Sequence, residues 1–406
     1  MKFVRHKLKL RVEWKNSRNK GNRMISVGFS RVSKKRPCRI CGKPTYCGFS
    51  RDEGTSICMR ISAGSRGLSR NGGNIHVHPE IPFLMIRPRI KTRNSQLISP
   101  APLQIRDAVF RELIRSSPAS NYIEELVTGL GGLLSRGLLK DHATSYGALP
   151  QTKQGRAALA GILNHYVCAR FPEYAKFHSG TGVIGVPGFW QEPSGMVHIW
   201  KPHNYLMPLL VVPYKDANGL IQACQIRLHA NDILSDEKRY FWLSSTLERH
   251  GASSGTPIHF TFLQRELPPG ETVLITEGAL KGDTVVRFRP NARVIATSGV
   301  TCSHSELVTA ARPYNALIAF DSDHRINPAV CRQLARLIVE REQDSKEHES
   351  STTTKVVFWN GPKGIDDALR ENASLRSLTI SEWYATLRNE PLDEVNRFWS
   401  EIGFKP

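Results

Sequence analysis

VLITEGALKGDTVVRF (273–288) and ALIAFDSD (316–323) decide the fold. Each opens as a short apolar run and closes on acids: 273–276 stops at Glu277-Gly278, and 316–320 stops at Asp321-Ser-Asp323. Residues 279–288 behind the first run have helical spacing. Two further apolar runs, 294–296 and 356–359, with helical segments near 305–312 and 328–341, complete a βαβαβαβ alternation, which implies a parallel sheet. Ser303-His-Ser-Glu306 reads as a capping-box start for the second helix. The polar stretch 340–354 reads as a solvated loop.

Ligands of open α/β sheets bind outside the carboxyl ends of the strands, so Glu277, Asp321 and Asp323 are expected on one rim. Carboxylate oxygens are what Mg2+ prefers; two aspartates at i and i+2 can share an ion while a glutamate opposite binds or acts as a base. Such a rim suits phosphoryl or nucleotidyl transfer. The competing reading is that the acids only cap helices, Glu277 the one at Ala279 and the aspartates the one near Pro328.

The 406 residues carry 56 Lys+Arg against 36 Asp+Glu, a formal charge of +20, with 40% hydrophobic and 23% charged content. That length predicts about two to four domains with real cores, and the charge favours a polyanionic partner, nucleic acid above all. The longest apolar run, 205–214, is far short of the roughly 20 residues of a membrane span and holds a proline, so no membrane role is expected. The cationic N-terminus lacks the apolar block of a secretory signal, and a cytoplasmic location is expected. Residues 1–36 hold 13 of the cations and one acid, Glu13, and read as a basic arm. Beyond a small module at 37–82, the Arg- and Pro-rich 83–102 reads as an extended basic linker. Helical periodicity marks 103–178, with signals at 105–114, 122–139 and 156–171. Residues 179–265 read as β structure with a hairpin turning at Asp216-Ala-Asn-Gly219. The parallel-sheet domain occupies 266–370, and 371–406 a C-terminal helical segment. The fold class is therefore multi-domain α/β.

Of eight cysteines, Cys38, Cys41, Cys47 and Cys58 cluster, while the others are scattered through apolar segments. Clustered cysteines in an intracellular chain point to a metal rather than disulfides. Cys38-Arg-Ile-Cys41-Gly42 has the shape of a zinc knuckle, and tetrahedral Zn2+ needs two more ligands from Cys47, Cys58, His76 and His78. Cys58 and His76 are favoured, since a ribbon usually draws its second pair from a later turn; Cys47 is the alternative to His76.

ITEGALKGDTV (275–285), SGV (298–300) and LIAFDSD (317–323) resemble the TOPRIM domain of bacterial-type primases, topoisomerases and some nucleases. The resemblance implies a Rossmann-like sheet, Glu277 as catalytic acid, Asp321 and Asp323 as ligands of Mg2+ or Mn2+, and Lys281 of the same motif in the catalytic set. Lys363-Gly-Ile-Asp366-Asp367 is similar to the Gly-Asp element near the metal rim of primases, which implies a supporting role for both aspartates and places Lys363 by the nucleic acid. Primases usually continue Asp-x-Asp with Ala-Gly; here His324-Arg follows. Ahead of the sheet, MPLLVVPYKDANGLIQACQIR (207–227) and KRYFWLSS (238–245) are similar to the DnaG-type catalytic core. Arg227, Lys238 and Arg239 would then offer cations to template or triphosphate, and Tyr240 a stacking face. Zinc module, basic linker and core stand in primase order, and the CxxCG...C...C...GGxxH pattern is most similar to primases of plasmids and integrative elements. The implied activity is primer synthesis on single-stranded DNA from nucleoside triphosphates. A TOPRIM nuclease and a catalytically idle single-strand-binding module are the alternatives. No G-x4-G-K-[ST] occurs, so a helicase would be a separate partner.

Overall fold

In a computed structural model, the described residues are 29–33, 36–43, 47–50, 55–61, 74–78, 98–202, 205–233, 239–246 and 248–405. The chain divides into two compact units, 1–92 and 93–406. Most of the basic arm expected at 1–36, most of the linker and Lys238 lie outside the described residues.

The first unit holds a four-stranded antiparallel sheet of β1 (Phe29–Arg31), β2 (Gly48–Ser50), β3 (Thr55–Cys58) and β4 (Asn74–Val77), in that order. Strands this short bury little. Val32, Phe49 and the thiols of Cys38, Cys47 and Cys58 form its core, so a bound metal would act as the missing apolar mass.

The segments expected at 103–178, 179–265, 266–370 and 371–406 all fall within the second unit. It begins with α1 (Leu103–Ser116), β5 (Gly147–Leu149), α2 (Lys153–Arg170), α3 (Pro172–Phe177) and the hairpin of β6 (Phe189–Gln191) and β7 (Val197–Ile199). The helix expected over 122–139 is instead a chain of short 3-10 and π turns. A side chain at Gly129 would meet the Glu124 carbonyl at 2.3 Å, and Gly131 has φ +72°, so a regular helix cannot pass.

An antiparallel sheet in the order β10-β9-β8-β5 follows, from β8 (Leu209–Lys215), β9 (Ile221–Arg227) and β10 (Tyr240–Trp242). The expected β8–β9 hairpin is present: Asp216 Oδ1 accepts from the Asn218 and Leu220 amides at 2.9 and 2.8 Å, and Gly219 takes φ +79°. Leu209 and Val211 pack toward α1 and α2, whereas Leu210, Val212 and Tyr214 pack toward a later helix. Both faces are covered, which is why LLVVPY reads as an unbroken apolar run.

The second sheet runs β11-β13-β12-β14-β15-β16, formed by β11 (His259–Phe260), β12 (Thr272–Glu277), β13 (Val294–Thr297), β14 (Asn315–Ala319), β15 (Thr354–Phe358) and β16 (Arg376–Leu378). The middle four are parallel and the edge strands antiparallel. Helix α4 (Ala279–Phe288) and α7 (Ile365–Arg370) cover one face; α5 (His304–Ala311), α6 (Pro328–Glu347), α8 (Ile380–Thr386) and α9 (Asn389–Ile402) cover the other. The chain leaves β12 toward β13 but leaves β14 toward β15, so the strand order reverses between β12 and β14. Two local expectations are corrected. Ser303 precedes α5 in a left-handed conformation without a side-chain cap, because its hydroxyl donates to the Thr256 carbonyl. Helix α6 continues to Glu347 through half of the expected loop, fastened by Arg312 to Asp344 at 2.7 Å.

The two sheets are joined through α4, whose Ala279 and Leu280 enter the core formed with Leu210, Val212 and Tyr214. Asp283 one turn on accepts from the Tyr146 hydroxyl at 2.6 Å and from His259 Nε2 at 3.3 Å, and His259 Nδ1 accepts from the Lys215 amide at 3.1 Å. Burial would raise the Asp283 pKa, but His259 and Tyr146 outweigh it and hold the carboxyl below its ordinary 3.8. Asp283→Asn is expected to cost about 1–3 kcal/mol of stability at neutral pH, since an amide oxygen cannot serve both donors as well. Urea unfolding against pH checks this: the gap from the parent should hold above about pH 4 and shrink as pH falls through the depressed pKa.

Candidate functional site

The reversal between β12 and β14 brings the acids together. In parallel register Thr276 lies beside Ala319, so Glu277 and Asp321 leave neighbouring strands within one residue of the same height. Glu277 Oε1 accepts from the Asp321 amide at 3.2 Å. Neither aspartate caps α6, since Asn327 does so with its side chain on the Ala329 amide at 3.2 Å; α4 has no side-chain cap. The helix-capping reading is thus not what the geometry shows.

Two lysines balance the acids. Lys281 lies one turn beyond Glu277, on the first turn and a half of α4, and its Nζ donates to Asp321 Oδ1. Lys363, at the end of the loop after β15, reaches Asp323 Oδ2 at 2.8 Å and Asp321 Oδ2 at 3.6 Å. That loop is tied down by the Ser322 amide donating to the Lys363 carbonyl at 2.8 Å and by Trp359 Nε1 donating to the Pro362 carbonyl at 2.7 Å. Burial raises the Glu277 pKa, and Asp321 adds to it against the lowering pull of Lys281. Burial would lower Lys281, but Asp321 and Glu277 raise it, so its ammonium is retained.

Where primases have Ala-Gly, His324 is buried and its Nδ1 donates to the Asp321 carbonyl at 3.0 Å. Burial pushes its pKa down to about 4, so the ring is neutral at physiological pH. His324 therefore braces the Asp-x-Asp turn.

Asp366, in the first turn of α7, is buried and pairs with Arg136 Nη2 at 2.9 Å. A side chain on Gly364 would meet Asp366 Oδ1 at 2.4 Å, so only glycine leaves room for this carboxylate. Asp367 is turned to Arg370 at 3.1 Å. Arg136 was not foreseen: it sits in the irregular stretch of 3-10 turns, and the one signal for it was a lone cation in the apolar GLLSRGLL. It lines a cavity of about 160 Å³ with Gln225, Tyr240, Glu277, Lys281 and Ser298. Arg227 gives Nη1 to the Gly131 carbonyl and lies 5.9 Å from the Tyr240 ring, while burial lowers its pKa. Among the described residues, the buried Nε groups of Arg136 and Arg227 and Asp323 Oδ1 have no hydrogen-bond partner. Arg239 is exposed, and Tyr240 shares its face of β10 with Trp242.

Solved structures similar to this chain include the E. coli primase catalytic core, at 13% identity and TM-score 0.44, covering 75% of this chain and 85% of that one. The zinc-binding and RNA polymerase domains of the Aquifex aeolicus primase show 14% identity and TM-score 0.43, with 74% and 68% covered. The RNA polymerase domain of Mycobacterium tuberculosis primase DnaG, in complex with double-stranded DNA, shows 16% identity and TM-score 0.43, with 69% and 82% covered. No family model and no curated protein sequence matches the chain.

In the first unit, the sulfurs of Cys38, Cys41, Cys47 and Cys58 all lie within 4.8 Å of one another. Cys41 to Cys47 is 3.7 Å and Cys47 to Cys58 is 4.0 Å, against about 3.8 Å between ligands of a tetrahedral Zn–thiolate site. Gly42 closes the knuckle at φ +67°, and the Arg60 and Ile61 amides donate to Cys58 Sγ at 3.4 and 3.3 Å. The favoured ligand set is corrected here, with Cys47 in place of His76. Sheet register puts Asn74, not His76, opposite Cys58, and His76 Nε2 donates to the Ile61 carbonyl at 2.8 Å. These thiols are also the one group of three or more such donors gathered this closely among the described residues; at the acidic rim the lysines lie between the carboxylates. Purified chain is expected to hold zinc that Cys47→Ser loses and His76→Gln keeps, read by zinc released on thiol titration.

Proposed function

We propose that this protein is a DNA-directed primase that synthesises short primers on single-stranded DNA, serving replication of a mobile element alongside a separate helicase. The observation that carries the reading is the rim at the strand reversal, where Glu277, Asp321 and Asp323 stand beside a cavity lined by Arg136, Lys281 and Tyr240. Acids facing cations across a small cleft suit a polyanionic substrate whose phosphates carry a metal. The mobile-element context is supported by the cysteine motif alone.

Glu277, Asp321 and Asp323 would hold Mg2+ or Mn2+, and the unpartnered buried Asp323 Oδ1 fits such a ligand. When bound, the ion would supply Lewis-acid activation of the attacking 3'-hydroxyl and charge neutralisation at the leaving pyrophosphate. Arg136 and Arg227 each offer a buried Nε–H with no acceptor among the described residues, and these would bind the triphosphate. Glu277, whose proton affinity is raised by burial, would take the hydroxyl proton. Tyr240 offers its ring to a base in the cleft, with Gln225 beside it. Asp366 holds Arg136 in place, Lys363 stands at the outer edge for the strand, and Asp367 supports the start of α7. Exposed Arg239 would extend the strand path, a role the sequence also suggests for Lys238, and the thiol-bound zinc would keep the first unit folded as a template grip.

A second reading has one observation in its favour: Lys281 and Lys363 already neutralise the aspartates, as they would in an idle single-strand-binding module. The test is labelled-ribonucleotide incorporation on single-stranded templates with Mg2+ or Mn2+. Glu277→Gln and Asp321→Asn are each expected to reduce it at least about a hundredfold while circular dichroism is unchanged. Incorporation at the parental rate in both variants would remove the assignment, and metal-dependent cleavage without nucleotides would replace it with a nuclease.

A further inference from the structure

A second cavity, of about 300 Å³, lies away from the acids, between the first turn of α2 and the β6–β7 hairpin. Hairpin alternation creates its aromatic wall. Phe189 and Ile199 are paired and buried in the core, so the neighbouring pair, Trp190 and His198, must face outward. Their rings stack at 4.5 Å with 23° between planes, and His198 Nε2 donates to Glu192 at 2.8 Å, which fixes the imidazole. Trp200 follows, its amide bound to the Gly188 carbonyl at 2.7 Å.

Three cations complete the lining: Lys153, Arg156 and Lys201. Arg156 is buried, and its Nη1 donates to the Pro150 and Gln151 carbonyls at 2.9 and 2.7 Å. Among the described residues no carboxylate pairs with any of the three. Burial lowers the pKa of both Lys201 and Arg156; repulsion by Arg156 lowers Lys201 further, and Asp232 offsets only part of this. An anion entering the cavity would relieve that cost. Glu248 also lines the cavity and supplies an acceptor.

We propose that this cavity binds one nucleotide, its base against the Trp190 and Trp200 indoles and its phosphate on Lys153, Arg156 and Lys201. Phosphate alone would leave the indoles and Glu248 unused, and a carboxylate-bearing peptide would leave the flat aromatic wall unused. A nucleotide uses all three: a π face for the indoles, an anion for the cations, and an exocyclic amine or sugar hydroxyl for Glu248. The volume is at the small end of ligand sites and suits one nucleotide unit. The cavity's chemistry does not depend on whether the acidic rim is catalytic.

Such a unit could be free or part of a strand, and photo-crosslinking of the full chain distinguishes the sources. The probes are iodouracil nucleoside monophosphate and a short oligothymidylate carrying one iodouracil, each without added divalent metal. Adducts on Trp190 or Trp200, mapped by mass spectrometry, are expected. Labelling by the oligonucleotide alone assigns the site to a strand; labelling by both assigns it to a nucleotide from either source. Trp190→Tyr should retain capture and Trp190→Leu should lose it, and Lys201→Gln should weaken it roughly tenfold. Adducts confined to other aromatics such as Tyr240, or capture unchanged in Lys201→Gln, would overturn the proposal. Because no metal or triphosphate is present, this result is separable from the fate of the primase reading.

Discussion

Carboxylates do not gather on one edge of a sheet unless something holds them, and here the holder is the parallel register of β12 with β14 and the cations that follow. Glu277 receives the Asp321 amide, Asp321 receives Lys281, Asp323 receives Lys363, and Asp366 receives Arg136. Four acids face three cations within one rim. Without the cations, burying Glu277 beside two aspartates would drive protons onto the group, as its raised pKa already shows in part. Helix α4 serves twice in this arrangement. Its Lys281 neutralises the rim, and its Ala279, Leu280 and Asp283 fasten the parallel sheet to the antiparallel one. The position of Tyr240 beside Glu277 in the cleft therefore depends on the same ten residues.

The parts of the fold that follow from periodicity were legible. Four apolar runs closing on acids or glycine gave the parallel strands, and Asp216-Ala-Asn-Gly219 gave the hairpin, because each is a local rule obeyed locally. The approximate place of the metal cluster was legible too, but its fourth ligand was not. Cys47 and His76 are equally good donors on paper, and only the β3–β4 register, which sets Asn74 opposite Cys58, separates them.

What escaped depends on contacts far apart in sequence. Residues 122–139 carry helical spacing, yet the backbone approach at Gly129 breaks the helix into turns, and this irregular path is what delivers Arg136 to Asp366 across more than half the chain. Asp283 carries no local signal, because its partners Tyr146 and His259 come from segments 137 and 24 residues away. The Trp190–His198 pair escaped for another reason: each strand is three residues long, too short for alternation to stand out.

The two rim lysines are not equivalent, and the difference bears on how a dication could be admitted. Lys281 is 15% exposed, enclosed between Asp321 and Glu277, and its burial cost is offset only by staying there. Lys363 is 62% exposed, on a flexible stem in a loop, so releasing Asp323 returns its ammonium to water at little cost. The outward oxygens of Asp321 and Asp323 are thus the part of the rim open to exchange, while Lys281 stays as a fixed charge between the acids and the cleft. An edge whose carboxylates are largely, not fully, offset by lysines at rest has reduced standing repulsion, and a dication taking the place of the surface lysine would offset the rest. The edge keeps one cation facing the cleft in either state.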